Sequence, residues 1–525
     1  MTAKVLIADE LSPRALEIFR ERGLEAHIRT GMKPEELIAA IGAYDGLAVR
    51  SATRVTAEVL DAAPRLKVVG RAGIGVDNID VAAATARGVV VMNTPYGNAI
   101  TTAEHAIAMM MALARQLPAA DRSTRAGKWE KSRFMGVELT GKVLGIIGCG
   151  NIGSIVADRA HGLKMKVIAY DPFLSDERAA DLNVEKVGLD DLFARADFVT
   201  LHVPLTEATR NMIDAKAIAK MKRGVRIINC ARGGLIVESD LKAAIESGHV
   251  TGAALDVFAE EPARDNPLFA LEEVIVTPHL GASTAEAQEN VAVQIAEQIS
   301  DYLLTGAVTN ALNMPSVSAE EAVRLRPYME LARQLGSFAG QLTHSGLQAV
   351  TFEYEGQVAE LNTRPLTNIA LAALLAPMLD SVNMVNAPVI ARDRDIDVTE
   401  VKHDRPGDYQ SLMRVIVTTD RGTRDVAGTL FGGRPRVVGI KGIRIEAELG
   451  RHMLYITNED RPGFIGALGS LLGEAGINIA TFHLGRTAPG KDALALIEID
   501  QPLGESLLRK VRALPHVVQA DELTF

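Results

Sequence analysis

Apolar and polar positions follow two rhythms along the first 300 residues: short apolar runs, then stretches in which apolar residues recur every three or four places. KVLIAD (4–9) reads as a strand and PRALEIFRERG (13–23) as a helix closed by Gly23. GLAVR (46–50) and LKVVGR (66–71) are two further strand-like runs. TTAEHAIAMMMALAR (101–115) reads as a long apolar helix with its Met run in the core. A second unit opens at KVLGIIGCGNIG (142–153) and continues through KVIAYDP (166–172), ADFVTLHVPL (196–205), VRIINCARG (225–233), GAALDVF (252–258) and VIVTPHLG (274–281). Six such runs are the count of a complete dinucleotide-binding sheet, so two doubly wound, parallel-sheet α/β (Rossmann-like) domains are expected. A helix, AEAQENVAVQIAEQISDYLL (285–304), follows the sixth run.

VTNALNMPSVS (308–318) has the Asn, Ser and Pro content of a linker, and the pattern then changes. Up to about residue 450 a helical run (320–342) mixes with short strands at 347–356, 411–419 and 444–449, which predicts an α+β domain without a chemical motif. Residues 451–525 read β-α-β-β-α-β, a ferredoxin-like unit. The expected domains are 1–98 with 286–312, 99–285, 313–450 and 451–525.

Length and composition narrow the class. A chain of 525 residues needs several cores, and 47% hydrophobic with 23% charged residues suits a globular protein. No apolar stretch approaches the roughly 20 residues of a membrane span, and the N-terminus lacks the basic-then-apolar pattern of a secretory signal. The two cysteines, Cys149 and Cys230, have no metal-ligand spacing; a reducing cytoplasm and no metal are expected. A net charge of −10 argues against nucleic acid or a membrane surface as partner.

Gly148-Cys149-Gly150-Asn151-Ile152-Gly153 is a G-x-G-x-x-G, a weak motif alone in a chain with 45 glycines. Context strengthens it: it follows the apolar run VLGII, opens an apolar-periodic helix, and has Asp171 about 20 residues beyond. Gly148 permits the turn, Gly150 lets the backbone approach a pyrophosphate, and Gly153 lets helix and strand pack closely. The helix N-terminus favours the anion. Asp171 suits ribose hydroxyls and would repel a 2′-phosphate, so NAD rather than NADP is expected.

Candidate chemistry sits at three strand ends: CARGG (230–234), DVFAEEP (256–262) and TPHLG (277–281). Removing hydride from a 2-hydroxy acid needs a base for the hydroxyl proton, and His279 is tuned for that near neutrality. A carboxylate beside it, Glu261, fixes the tautomer; Arg232 can hold the substrate carboxylate and polarise the 2-oxygen. Each residue alone has an ordinary structural explanation. Their joint position beyond a dinucleotide loop favours the chemical one.

GCGNIG, CARGG, DVFAEEP and TPHLGAST together resemble the D-isomer-specific 2-hydroxyacid dehydrogenases. The resemblance implies Arg232 for substrate binding, Glu261 for charge relay and His279 as proton donor and acceptor. It also implies cofactor contacts at Asn151, Ile152, Asp171, Cys230, Ala231, Asp256, His279, Gly281 and Ala282. Val203 stands where some relatives carry Thr, so only a backbone contact is expected there. VRSATRVT (49–56), GRAGIGVDNIDV (70–81), NTPYGNAITTAEH (93–105) and GKWEKSRFMGVEL (127–139) resemble the 3-phosphoglycerate dehydrogenase branch. That implies 3-phosphoglycerate and 3-phosphohydroxypyruvate as the reacting pair. Arg50, Ser51, Arg54, Arg71, Lys131 and Arg133 are then candidates for the phosphate. Backbone N–H groups of Ala72, Gly73 and Ile74 are candidates for a carboxylate nest. A glyoxylate or hydroxypyruvate reductase, or a non-catalytic NAD-sensing scaffold, stays an alternative on the same fold.

NEDRPGFIGALGSLLGEAGINIATFHLGR (458–486) resembles an ACT domain, with 313–450 similar to the intervening domain of the long branch. The resemblance implies an amino-acid effector, L-serine, at Asn458, Asp460 and Asn478, and a homotetramer. Lys441, Arg444 and Arg451 are a candidate anion-binding cluster.

Overall fold

The computed structural model describes residues 2–379, 382–404 and 407–525. The first sheet is parallel, in the order Glu25–Ile28, Lys4–Ile7, Gly46–Val49, Val68–Arg71 and Val90–Asn93. Helix Ala285–Thr305 returns to this sheet and closes its core with Val291, Ile295 and Ile299 against Val5, Val68 and Val90. Gly70 makes that approach possible: a Cβ there would lie 2.6 Å from the side chains of Ile295 and Ile299.

The second sheet, also parallel, runs Val274–Val276, Val250–Leu255, Val225–Asn229, Phe198–Leu201, Val143–Ile147, Lys166–Tyr170 and Glu185–Lys186. The order reverses between Val143–Ile147 and Phe198–Leu201. In such sheets ligands bind beyond the carboxyl ends of the strands at this reversal. Six expected strands are thus seven, because the two-residue Glu185–Lys186 is too short to show a period. Glu25–Ile28, in which Glu25 and His27 break the apolar run, and Val90–Asn93 were also not among the expected strands. The Met run of helix Ala99–Arg115 divides: Met109 and Met110 are buried, whereas Met111 is exposed.

The third sheet has the order Asp397–His403, Leu347–Gly356, Ser411–Thr419, Gly422–Phe431, Arg434–Ile440, Ile443–Ala447, parallel only at its first pair. Helices Ala319–Gln341 and Arg364–Leu375 cross on it. Cβ atoms at Gly336 and Gly340 would come within 2.1 and 2.2 Å of the Ala370 and Leu374 carbonyl oxygens. The last sheet is antiparallel, in the order Ile479–Arg486, Asp492–Ile499, His452–Glu459, Val517–Thr524, with helices Phe464–Glu474 and Gly504–Arg512. Middle and C-terminal parts share one core, in which Phe338 meets Tyr455 edge-on at 5.8 Å. Among the described residues no helix is long and apolar enough to cross a membrane, and no cluster of metal ligands occurs.

Candidate active site

The glycine loop leaves strand Val143–Ile147 with Gly148 at φ +91°, which favours glycine. A Cβ on Gly148 would lie 2.7 Å from the His202 carbonyl oxygen and from Val203 Cγ1; one on Gly153 would lie 2.0 Å from the Gly148 carbonyl oxygen. At Gly150, by contrast, no atom lies within 4 Å of a built Cβ. Gly150 is the N-cap of helix Asn151–Gly162, and no side chain caps its first N–H groups. Asn151 Nδ2 donates to the Pro95 carbonyl at 3.4 Å, and Ile152 packs into the core beneath. Asp171, one residue past strand Lys166–Tyr170, accepts from the Cys149 and Phe173 amides at 2.9 and 2.8 Å. A glycine-lined turn, an uncapped helix start and an acid at the next strand end fit NAD.

The other cofactor candidates line the loops beyond the sheet. Burial pushes the Cys149 thiol up to about 11 and raises the Cys230 thiol further, so both stay protonated. The Ala231 amide is already donated to Asn229 Oδ1 at 3.0 Å. Ala282 follows Gly281 in the loop before helix Ala285–Thr305. Asp256 has no exposed surface; it accepts from Thr277 Oγ1 and the Leu280 amide on Oδ1, at 2.6 and 2.7 Å, and from the Gly281 amide on Oδ2 at 2.8 Å.

His279 sits in this loop with φ +56°, a strained backbone for a non-glycine residue. Its Nδ1 lies 2.7 Å from Glu261 Oε2, while Glu261 Oε1 accepts the Phe258 amide at 3.0 Å. The hydrogen bond that His279 donates to Glu261 raises its proton affinity, opposed by burial and, more weakly, by the charge of Arg232. Burial works to raise the Glu261 carboxyl, but the His279 ring and the Phe258 amide hold it below its ordinary value. With Nδ1–H committed to Glu261, Nε2 is the atom left for a substrate proton.

Arg232 projects across to the first domain. Its Nε donates to Asp77 Oδ2 at 2.8 Å and its Nη1 to the Ala231 carbonyl at 2.7 Å; a Cβ on Gly75 would sit 1.6 Å from its Nη2. Arg71 comes from the end of strand Val68–Arg71 in that domain. Its buried Nε has no hydrogen-bond partner. Burial, then the like charges of Arg232 and Arg50, pull the guanidinium down to about 10. Asp77 and Asp9 oppose this only in part, so the Arg71 guanidinium, with its Nε unpartnered, can still gain from an anion. Asp9 shapes the rim, accepting from the Arg50 and Thr53 amides at 2.6 and 3.2 Å, and Asn78 Nδ2 donates to the Arg50 and Thr53 carbonyls at 2.7 and 2.6 Å. Ser51 and Arg54 lie exposed on that loop.

Several expectations need correction. Of the proposed nest, the Ala72 amide is already donated to the Val49 carbonyl at 2.8 Å and the Gly73 amide to Thr94 Oγ1 at 2.7 Å. Only Ile74 keeps a free N–H, joined by that of Gly75, which the sequence did not single out. Arg133 is already paired with Glu130 and Glu272 at 3.1 and 2.6 Å and would have to exchange those contacts for a phosphate; exposed Lys131 has no such pair among the described residues. The anticipated Lys441, Arg444 and Arg451 cluster is also not free as drawn: Arg444 pairs with Asp408 at 2.6 Å, and Lys441 lines a cavity with Arg424. Arg451 is exposed.

Sequence reasoning missed Asp77, Asp9 and Asn78, although Asp77 and Asn78 lie inside the quoted segment GRAGIGVDNIDV. It also missed His202, whose Nε2 meets Thr200 Oγ1 at 2.9 Å while burial pushes its ring down to about 4. At the tail, Asp460 Oδ2 binds Arg486 Nη1 and the Gly490 amide at 2.8 and 3.0 Å, and Asn478 Nδ2 donates to Asp500 at 3.0 Å. Asn458 is buried, with Oδ1 unpartnered.

Three family models match the chain: the NAD binding domain of D-isomer specific 2-hydroxyacid dehydrogenase over residues 107–281, the D-3-phosphoglycerate dehydrogenase intervening domain over 324–441, and the ACT domain over 452–516. A D-3-phosphoglycerate dehydrogenase of Synechocystis is 44% identical over 97% of this chain and 92% of that relative. One of Archaeoglobus fulgidus is 43% identical over 98% and 99%. Among solved structures, a D-lactate dehydrogenase of Aquifex aeolicus complexed with NAD and lactic acid matches 59% of this chain and all of that one, at 27% identity and a TM-score of 0.53. The TT0316 protein of Thermus thermophilus matches 59% of this chain and 99% of its own, at 34% identity and a TM-score of 0.55. With a dinucleotide loop, a paired His279 and Glu261, and similarity along nearly its whole length, the chain belongs to the D-3-phosphoglycerate dehydrogenase family of NAD-dependent oxidoreductases.

Proposed function

We propose that the chain oxidises 3-phospho-D-glycerate to 3-phosphohydroxypyruvate, the first step of the phosphorylated route to L-serine, and catalyses the reverse reduction. The observation that carries this reading is the under-compensated Arg71, with Arg232 and Arg50 near it, in the cleft that holds His279 and Glu261. A doubly anionic hydroxy acid supplies the missing negative charge, whereas glyoxylate brings a single carboxylate.

In this reading Arg232 and Arg71 hold the substrate anion, the free amides of Ile74 and Gly75 add donors, and Arg50 and Arg54 face the phosphate. His279 Nε2 takes the 2-hydroxyl proton as the carbonyl forms, and Glu261 stabilises the resulting imidazolium through Nδ1. NAD, when bound, accepts the hydride leaving C2. The loop Gly148–Gly153 with Asp171 would hold it, with Val203, Cys230, Ala231, Asp256, Gly281 and Ala282 as the further candidate contacts. Support for the domain limits 1–98 with 286–312, 99–285, 313–450 and 451–525 comes from the four sheets.

We assign feedback by L-serine to Asn458, Asp460 and Asn478, a homotetramer to the assembly, and the cytoplasm as location. The test is NADH consumption with phosphohydroxypyruvate and with glyoxylate, each with and without serine. Strong preference for the phosphorylated acid is expected; equal rates on glyoxylate would place the chain among the general reductases.

A further inference from the structure

The strained backbone of His279 is held by one carboxylate, and that carboxylate has a donor from outside the loop. The His279 amide donates to the Asp256 carbonyl at 2.9 Å, while the amides of Leu280 and Gly281 and the hydroxyl of Thr277 converge on the Asp256 side chain. Nε2 of His105, on helix Ala99–Arg115, lies 3.3 Å from Asp256 Oδ1 and 3.3 Å from Thr277 Oγ1. Because Thr277 directs its proton to Asp256, both neighbours of Nε2 are acceptors. The network therefore places the His105 proton on Nε2. The same helix limits the loop sterically: a Cβ on Gly281 would lie 3.1 Å from Asp256 Oδ2 and 3.4 Å from Thr102 Cγ2.

Burial alone would push the Asp256 carboxyl up, but the donors led by His105 and Thr277 hold it below its ordinary value. Remove one donor, and a fully buried carboxylate is left short of a partner, which weakens its grip on the loop amides.

We propose that His105 is a positioning residue for the reaction: its Nε2–H completes the donor set of Asp256, which holds the Leu280 and Gly281 amides and keeps the left-handed His279 against Glu261. The inference rests on His279 as the proton-transferring group. No hydrogen bond joins His105 to His279 or Glu261, so its effect passes through Asp256.

The test uses full-length His105→Leu, His105→Asn and His105→Gln beside His279→Ala, with kcat and KM for phosphohydroxypyruvate reduction and NADH binding by fluorescence. Gln carries an N–H to where Nε2 stands; Asn falls short and Leu has none. Leu and Asn are expected to lower kcat ~10- to 100-fold, the scale of a small misplacement at the reacting centre, with KM and NADH affinity within about twofold. Gln is expected to restore kcat to within about threefold of the parent. Parental kcat in the Leu variant, a Gln variant as slow as Asn, or a rise in KM alone would overturn the proposal. If Leu does not fold, Gln against Asn decides. Full turnover in His279→Ala would instead refute the reading of the active site; an inactive His279→Ala beside fully active His105 variants refutes only the present inference.

Discussion

The cleft around His279 and the polar site of the C-terminal part differ in how their charges are balanced. In the cleft, half-buried Arg71 has a buried, unpartnered Nε and lies near Arg232 and Arg50, with Asp77 and Asp9 opposing their charge. In the tail, Asp460 and Asn478 already bond Arg486, Gly490 and Asp500. A charge with an unpartnered buried atom draws a ligand of opposite sign; one whose contacts are already made must give up a bond to gain one. The contrast implies that an effector must compete for contacts already made in the tail, with Asn458 Oδ1 its one unsatisfied buried acceptor among the three.

The largest break in this comparison is His279→Ala. Turnover is expected to fall ~10²- to 10⁴-fold while NADH still binds, read by steady-state rates and fluorescence. Next comes Glu261→Gln, for which kcat is expected to fall roughly tenfold or more. Reduction requires protonated His279, and Glu261 raises that proton's affinity, so the parental rate declines only as pH climbs through the raised value. In Glu261→Gln the decline should begin at lower pH; an unmoved profile assigns the limb to another group.

Arg71→Met sharpens the charge argument because two readouts move in opposite directions. Loss of a charge-assisted contact worth ~1.5–3 kcal/mol should raise KM for the phosphorylated acid at least about tenfold. Removing a half-buried cation whose Nε is unpartnered should raise the melting temperature. A fall in both affinity and stability would show that Arg71 is structurally paired. The smallest expected effect belongs to Asn478→Ala, which should blunt serine inhibition and leave uninhibited turnover unchanged; an identical serine titration excludes that residue.

The parts legible in sequence were those with a period or a spacing. The glycine loop, Asp171 and the trio Arg232, Glu261 and His279 lie next to strands whose apolar runs stand out. Four-residue strands such as Glu25–Ile28 carry no period, and Gly422–Phe431, interrupted by Arg424 and Asp425, reads as a polar loop until its neighbours pair with it. Side-chain partners were harder still. Asp77 meets Arg232 across 155 positions of chain, and His105 meets Asp256 from a helix whose apolar pattern suggested only packing. The Gly73 amide was misassigned because Thr94, which takes it, comes from the neighbouring strand's end.

The link between Arg232 and Asp77 gives the cleft an internal rival for its own substrate. Asp77 is largely exposed and holds Nε of the guanidinium proposed to take the substrate carboxylate. An arriving acid must displace or share this contact, which lowers its net affinity. On the proposed reading, departure of the acid leaves Arg232 with Asp77 as its partner rather than as a bare cation between the two domains, and the affinity of the site is the difference between two contacts of one guanidinium.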